Sequence, residues 1–120
     1  MSGDVAKVDL HARAAALTEL WAPERVGTYN DNEVMVVRIE GEFPFHLHED
    51  SDDFFLVLSG EVHVDVEGAA TQICGPGEMC VVPKGRTHRP RAPREARILL
   101  IEPLGLRETN DTHRREARAT

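Results

Sequence analysis

No window of this 120-residue chain approaches the roughly 18 consecutive apolar residues of a membrane-crossing helix. The opening stretch MSGDVAKVDL has no apolar signal core either. These two shortages point to a cytoplasmic protein with no membrane partner. Basic residues are in deficit: 14 Lys and Arg against 21 Asp and Glu leave a net charge of −7. Nucleic acid is therefore excluded as the main partner, since phosphate backbones are bound by basic surfaces. Cysteine is scarce as well, with only Cys74 and Cys80, and their spacing is not the short CxxC form. Without a secretory signal they are expected as free buried thiols rather than a disulfide or a zinc clip. What is present, 41% hydrophobic and 29% charged residues, suits one globular domain around a single core.

The chain divides into an N-terminal segment over 1–26, a strand-rich body over 27–106 and a polar tail over 107–120. In DLHARAAALTEL (9–20), Leu10, Ala14, Leu17 and Leu20 fall at helical spacing behind Asp9 as a cap, and Pro23 stops the helix. His11 projects from that helix as a surface residue. From Thr28 the pattern changes to short β-branched runs between turn signals: Glu33–Glu40, Asp53–Leu58, Glu61–Glu67, Thr71–Cys74, Met79–Val82 and Arg97–Glu102. Pro90, Pro93 and Pro103 are expected to bound connections. Many short strands and one helix indicate an all-β sandwich or barrel. In Glu61–Glu67 strict alternation puts His63 with the acidic residues on the polar face, away from any site.

Candidate chemistry centres on GEFPFHLHEDSDDFFLVLSG (41–60). Residues two apart on a strand share a face, so His46 and His48 can point at one place, with Glu49, Asp50, Asp52 and Asp53 close behind. Imidazoles and carboxylates converging on a point suit a divalent transition metal. In Asp53–Leu58, alternation turns Phe55 and Val57 inward with Asp53 and leaves Phe54, Leu56 and Leu58 outside. Asp52 then faces the wrong way. A strand apolar on both sides must be covered on both, by the helix or by a second subunit, and a homodimer is expected. Phe43 and Phe45 precede His46 and are expected, like Phe55 and Val57, in the core or in a pocket wall. The basic residues Lys84, Arg86, Arg89, Arg91, Arg94 and Arg97 read either as a solvated loop or as a site for an acidic ligand.

A second stretch, GEMCVVPKGRTH, spaces Gly77, Pro83, Gly85 and His88 at fixed offsets. Together with G-x4-HxH-x4-D-x6-G it resembles the two-motif signature of the cupin superfamily over roughly residues 33 to 102. The resemblance implies a double-stranded β-helix, the jelly-roll barrel, holding one divalent transition metal per chain (Fe, Mn, Ni, Zn or Cu). His46, His48, Asp53 and His88 are its implied ligands. The family's glutamate is Asp53 here, one methylene shorter, and its frequent asparagine after the last histidine is Ala92. The shorter side chain implies that Asp53 reaches the ion through backbone movement, holds it through water, or leaves three histidine ligands. Such a cupin is expected to be a metal-dependent enzyme of oxygenase or isomerase class acting on a small molecule, or alternatively a non-catalytic small-molecule or metal-binding module.

Overall fold

The computed structural model describes residues 3–106; His113 and the polar tail over 107–120 lie outside them. The elements run α1 (Leu10–Ala15), β1 (Glu24–Tyr29), β2 (Asn32–Glu42), β3 (Asp53–Ser59), β4 (Val62–Val66), β5 (Gln72–Cys74), β6 (Met79–Val82) and β7 (His88–Pro103). The strands pair antiparallel in the order β1-β2-β7-β3-β6, with β4 joining β7 to β5. This is the all-β barrel the sequence implies.

Three elements differ from the sequence reading: α1, β1 and β7. The helix is half the expected length: Asp9 caps it, accepting from Ala12 N at 3.0 Å, but it ends at Ala15 instead of running to Leu20. Tertiary pairing overrides helix propensity there, because Arg38 of β2 donates to Thr18 O and Trp21 N donates to Arg38 O, drawing 18–21 along the sheet. Strand β1 is an addition to the expected set. The third difference is β7, which begins at His88 rather than Arg97 and contains Pro90 and Pro93 instead of being bounded by them. Its register against β2 jumps from Ala92 opposite Gly41 to Ala96 opposite Ile39, so three residues of β7 face one of β2. Pro93 falls inside this bulge, where no ladder hydrogen bond is lost.

Arg89, Arg91, Arg94 and Arg97 of the basic run are consequently in strand rather than loop, Lys84 and Arg86 lie in the turn before it, and the guanidinium groups of Arg89, Arg91 and Arg97 are paired with carboxylates. Asp65 accepts from Arg91 Nε at 2.7 Å and Arg89 Nε at 3.0 Å, and Glu95 accepts from Arg38 and Arg97. Hydrogen bonding to Arg91, above all, holds the Asp65 carboxyl well below the usual carboxylate range.

The core is filled from inward positions: Val37 and Ile39 of β2, Phe55 and Val57 of β3, Val62 and Val64 of β4, Ala96 and Ile98 of β7. Strand β3 alternates as expected, with Asp53, Phe55 and Val57 buried and Phe54, Leu56 and Leu58 half-buried. Gly60 ends β3 with φ +86°, and a Cβ there would lie 2.8 Å from Ala96 Cβ and 2.9 Å from Glu95 O. Only glycine fits this turn without displacing β7. Cys74 and Cys80 are unpaired thiols, and burial pushes both above the ordinary thiol value.

Candidate metal centre

The two histidine-bearing stretches meet through their backbones. His46 N donates to His88 O and His88 N donates to His46 O, both at 2.9 Å, an antiparallel bridge between residues far apart in sequence. Gly85, in the left-handed region at φ +82°, donates its N–H to His48 O at 2.8 Å. The glycine of the second stretch thus fixes the second histidine of the first. Asp53 opens β3 opposite Val82 of β6, and its side chain enters the same interior layer.

The imidazoles are oriented from behind. His46 Nδ1 lies 3.0 Å from Pro44 O and His88 Nδ1 lies 2.8 Å from Arg86 O. A carbonyl oxygen only accepts, so both Nδ1 atoms carry the proton. Both rings therefore present Nε2 forward, the arrangement that sets an imidazole for a metal. The ring of Phe43 meets that of His46 edge-on at 5.2 Å between centroids.

Asp53 Oδ2 sits among the three rings, 2.6 Å from His88 Nε2, 3.2 Å from His48 Nε2 and 3.7 Å from His46 Nε2. All four side chains are buried. The shorter carboxylate does not fall short: it reaches the focus of the histidines without leaving its strand. Ligand atoms of His46, His48 and Asp53 all lie within 4.8 Å of one another, and His88 touches this group at Asp53 without being part of it. Burial pushes the Asp53 carboxyl up, but its close contacts with the imidazoles of His46, His48 and His88 outweigh burial and hold the group well below the usual carboxylate range.

Whether a cation fits can be judged from these distances. Donors about 2.1 Å from one ion are about 3.0 Å apart at right angles and about 3.4 Å apart in a tetrahedron. The separations from Asp53 to His48 and His46, 3.2 and 3.7 Å, lie on either side of the tetrahedral value. That to His88 is shorter, and these two residues would part by about 0.4 Å or more. Forward-facing lone-pair nitrogens around a carboxylate oxygen also repel one another unless positive charge lies between them, a proton or a metal ion. The donor set fits a divalent transition metal.

A cavity of about 100 Å³ opens over these residues. Val37, Ile39, Phe55, Ile98 and Leu100 form its apolar wall, Trp21, Pro23 and Phe43 lie across it, and His46, His48, Asp53 and Glu102 supply its ionisable lining. Residues 33–102 match the cupin-domain family. The chain belongs to that family. This cupin is 33% identical over 84 residues to the uncharacterised protein YdbB of Bacillus subtilis (strain 168), covering 70% of this chain and 74% of that one. A cupin-2 domain protein from Shewanella frigidimarina NCIMB 400 has a similar structure, with TM-score 0.77 and 32% identity over 80% of this chain and 93% of that one. Protein NMB1881 of Neisseria meningitidis gives TM-score 0.74 and 31% identity, covering 82% and 99% of the two chains.

Of the residues expected at the pocket wall, Phe43 and Phe55 line the cavity and Phe45 and Val57 do not. Val57 is packed in the core, one layer deeper. Phe45 is 44% exposed, with the Arg89 guanidinium 4.4 Å from its ring centroid. The stretch 43–48 is not a regular strand, so period-two alternation does not carry through it. Asp52 faces away from the centre, as parity requires, and accepts from Lys84 N at 2.9 Å. His63 pairs with Glu61 at 2.8 Å on the outer side of β4. Trp21 and Glu102 were missed. Trp21 adopts φ +61°, unusual for a bulky side chain, with Nε1 donating to Glu40 O and its ring 5.2 Å from that of Phe43. Only its being the chain's single tryptophan marked it in the sequence.

Proposed function

We propose that this cupin is a metal-dependent enzyme of oxygenase or isomerase type acting on a small molecule held over the centre. The observation that carries the reading is the convergence of His46, His48 and Asp53 in the lining of an apolar cavity, with His88 Nε2 2.6 Å from the same carboxylate oxygen. Nε2 of His46, His48 and His88 and Oδ2 of Asp53 would hold one divalent transition metal, Fe, Mn, Ni, Zn or Cu. Such an ion supplies Lewis-acid or redox chemistry at a substrate. The chain's own residues do the rest: Pro44 O and Arg86 O orient the rings, the His46–His88 bridge sets their spacing, and the apolar wall excludes water from a bound ligand.

The competing reading is a non-catalytic metal or ligand-binding module. The specific observation in its favour is the count of four donors, enough to close a tetrahedral zinc site. Two measurements separate them. Protein purified without an immobilised-metal column should carry close to one transition metal per chain, lost in His46→Ala, His48→Ala and His88→Ala. Nitric oxide added anaerobically to Fe(II)-loaded protein should give the paramagnetic signal of an iron–nitric oxide adduct, which requires an exchangeable position. A fully loaded protein that gives no such signal has a closed site, and the enzyme reading fails.

A further inference from the structure

The two cysteines are nucleophilic groups that the centre does not use, and the fold brings them together. Cys74 ends β5 opposite Val62 of β4, and Cys80 lies in β6 opposite Phe55 of β3. No ladder joins β5 to β6 among the described residues. The chain between the cysteines is a closed turn: Glu78 N donates to Gly75 O at 3.0 Å, and Gly75 N donates to Glu78 Oε1 at 2.7 Å. Its middle residues are Pro76 and Gly77, the second at φ +83°, a pair suited to such a reversal. Val57 of β3 anchors the turn, accepting from Gly77 N at 2.8 Å and donating to Glu78 O at 2.9 Å. Both cysteine side chains enter the same core. Cys74 is 7% exposed, Cys80 is half-buried against the same cluster, and the two thiols are hydrogen-bonded to one another.

A thiol is a weak hydrogen-bond donor, so this contact stabilises the fold little. Its consequence is proximity. A disulfide needs its sulfurs about 2.05 Å apart, and thiols already in contact across a closed turn reach that by side-chain rotation. We propose that Cys74 and Cys80 are a reversible redox site, which ties β5 to β6 by a disulfide on exchange with a small disulfide such as oxidised glutathione. The half-buried Cys80 is the point of entry. It gives its proton to water, its thiolate attacks one sulfur of the small disulfide, and one glutathione thiolate leaves. Cys74, deprotonated in turn, attacks Cys80 Sγ and expels the second glutathione. Two protein thiols are thus oxidised and one small disulfide is reduced to two thiols. Burial keeps both cysteines protonated at neutral pH, so the exchange is slow there and faster in mild alkali. The bond forms on the strand that backs the centre: Val82, two residues beyond Cys80, lies opposite Asp53, and the Phe55 ring opposite Cys80 meets that of His88 edge-on at 6.2 Å.

The test incubates native, reduced protein with oxidised glutathione in mild alkali, then unfolds it in iodoacetamide and reads intact mass, free thiols and peptide map. Wild-type protein should lose both free thiols and two hydrogens of mass, and should show a link between the Cys74 and Cys80 peptides that dithiothreitol reverses. Cys74→Ala should stop at the mixed disulfide and keep one glutathione on Cys80. The wild-type result decides the matter alone if that variant does not fold. Wild-type protein that keeps both thiols, that stops with glutathione attached, or whose chains become linked to one another overturns the proposal. A Cys74 to Cys80 link that forms only in urea overturns it as well, because the folded arrangement is then not what joins them.

Discussion

Replacing Asp53 by asparagine separates the charge at the focus of the histidines from its shape. Asparagine has the same size and branching, so the backbone of β3 and the three rings can stay where they are. Only the negative oxygen, 2.6 to 3.7 Å from three Nε2 atoms, is lost. In the metal-free protein its amide can still donate to an imidazole nitrogen. The folded state should then lose about 1 kcal/mol, the scale of a single hydrogen bond. The bound ion loses more: its sole anionic ligand becomes a neutral one in a buried setting. Affinity for Zn(II) should fall at least 10-fold and up to about 100-fold, or about 1.4 to 2.7 kcal/mol. Competition against a chromophoric chelator measures the affinity, and thermal melts of the metal-free forms show that the variant is folded. A folded Asp53→Asn protein whose zinc affinity lies within twofold of wild type would refute the claim that Asp53 completes the donor set.

Gly60→Ala should destabilise the protein by about 2 to 4 kcal/mol, from left-handed backbone strain plus overlap with β7. Gly68→Ala, at φ +78° with nothing within 4 Å of an added Cβ, should cost only about 1 kcal/mol; equal melting temperatures for the two variants would show that contact with Ala96 is unimportant. Asp53 and Asp65 both titrate below their ordinary value. The stability they confer is present above about pH 4 and is lost as pH falls through their folded-state values. Urea midpoints should therefore begin to drop as pH falls through about 4 and go on dropping below pH 3, and Asp65→Asn should flatten that slope. We further propose that the outer face of β3 and β6, where Met79 is 63% and Val81 46% exposed beside Phe54 and Leu56, pairs with a second copy. Light scattering should report twice the chain mass, reduced by Met79→Glu; a monomer at micromolar concentration defeats the dimer.

Much of the centre was legible because its signal is local. His46 and His48 share a face at a spacing of two, and Asp53 to Leu58 alternates without interruption, so parity placed Asp53 and Phe55 inside. The rest depended on contacts the sequence does not display. Glu33 and Glu102 look like ordinary charged strand ends; each is buried because β2 and β7 set them opposite one another. Pro90 and Pro93 read as strand breakers until the bulge against β2 is known. Phe45 turns outward because Arg89, over forty residues on, offers its guanidinium to the ring. Trp21 reaches the cavity only because the chain after the helix lies along β2.

Strand β7 pairs with β2, β3 and β4 and brings His88 to His46. It follows all three of them in the chain, so none has this neighbour until β7 has been made. Contacts this distant in sequence are slow to form, because the loops they close cost entropy before the pairing repays it. A ribosome-bound chain exposing residues only as far as Val82 has His46, His48 and Asp53 but lacks His88, whose bridge to His46 helps to hold them on one point. Such a fragment should neither protect its backbone amides from exchange nor retain an ion tightly. Under the proposed function, metal capture would thereby wait for β7 to emerge, and a bound ion would select finished barrels over partial ones.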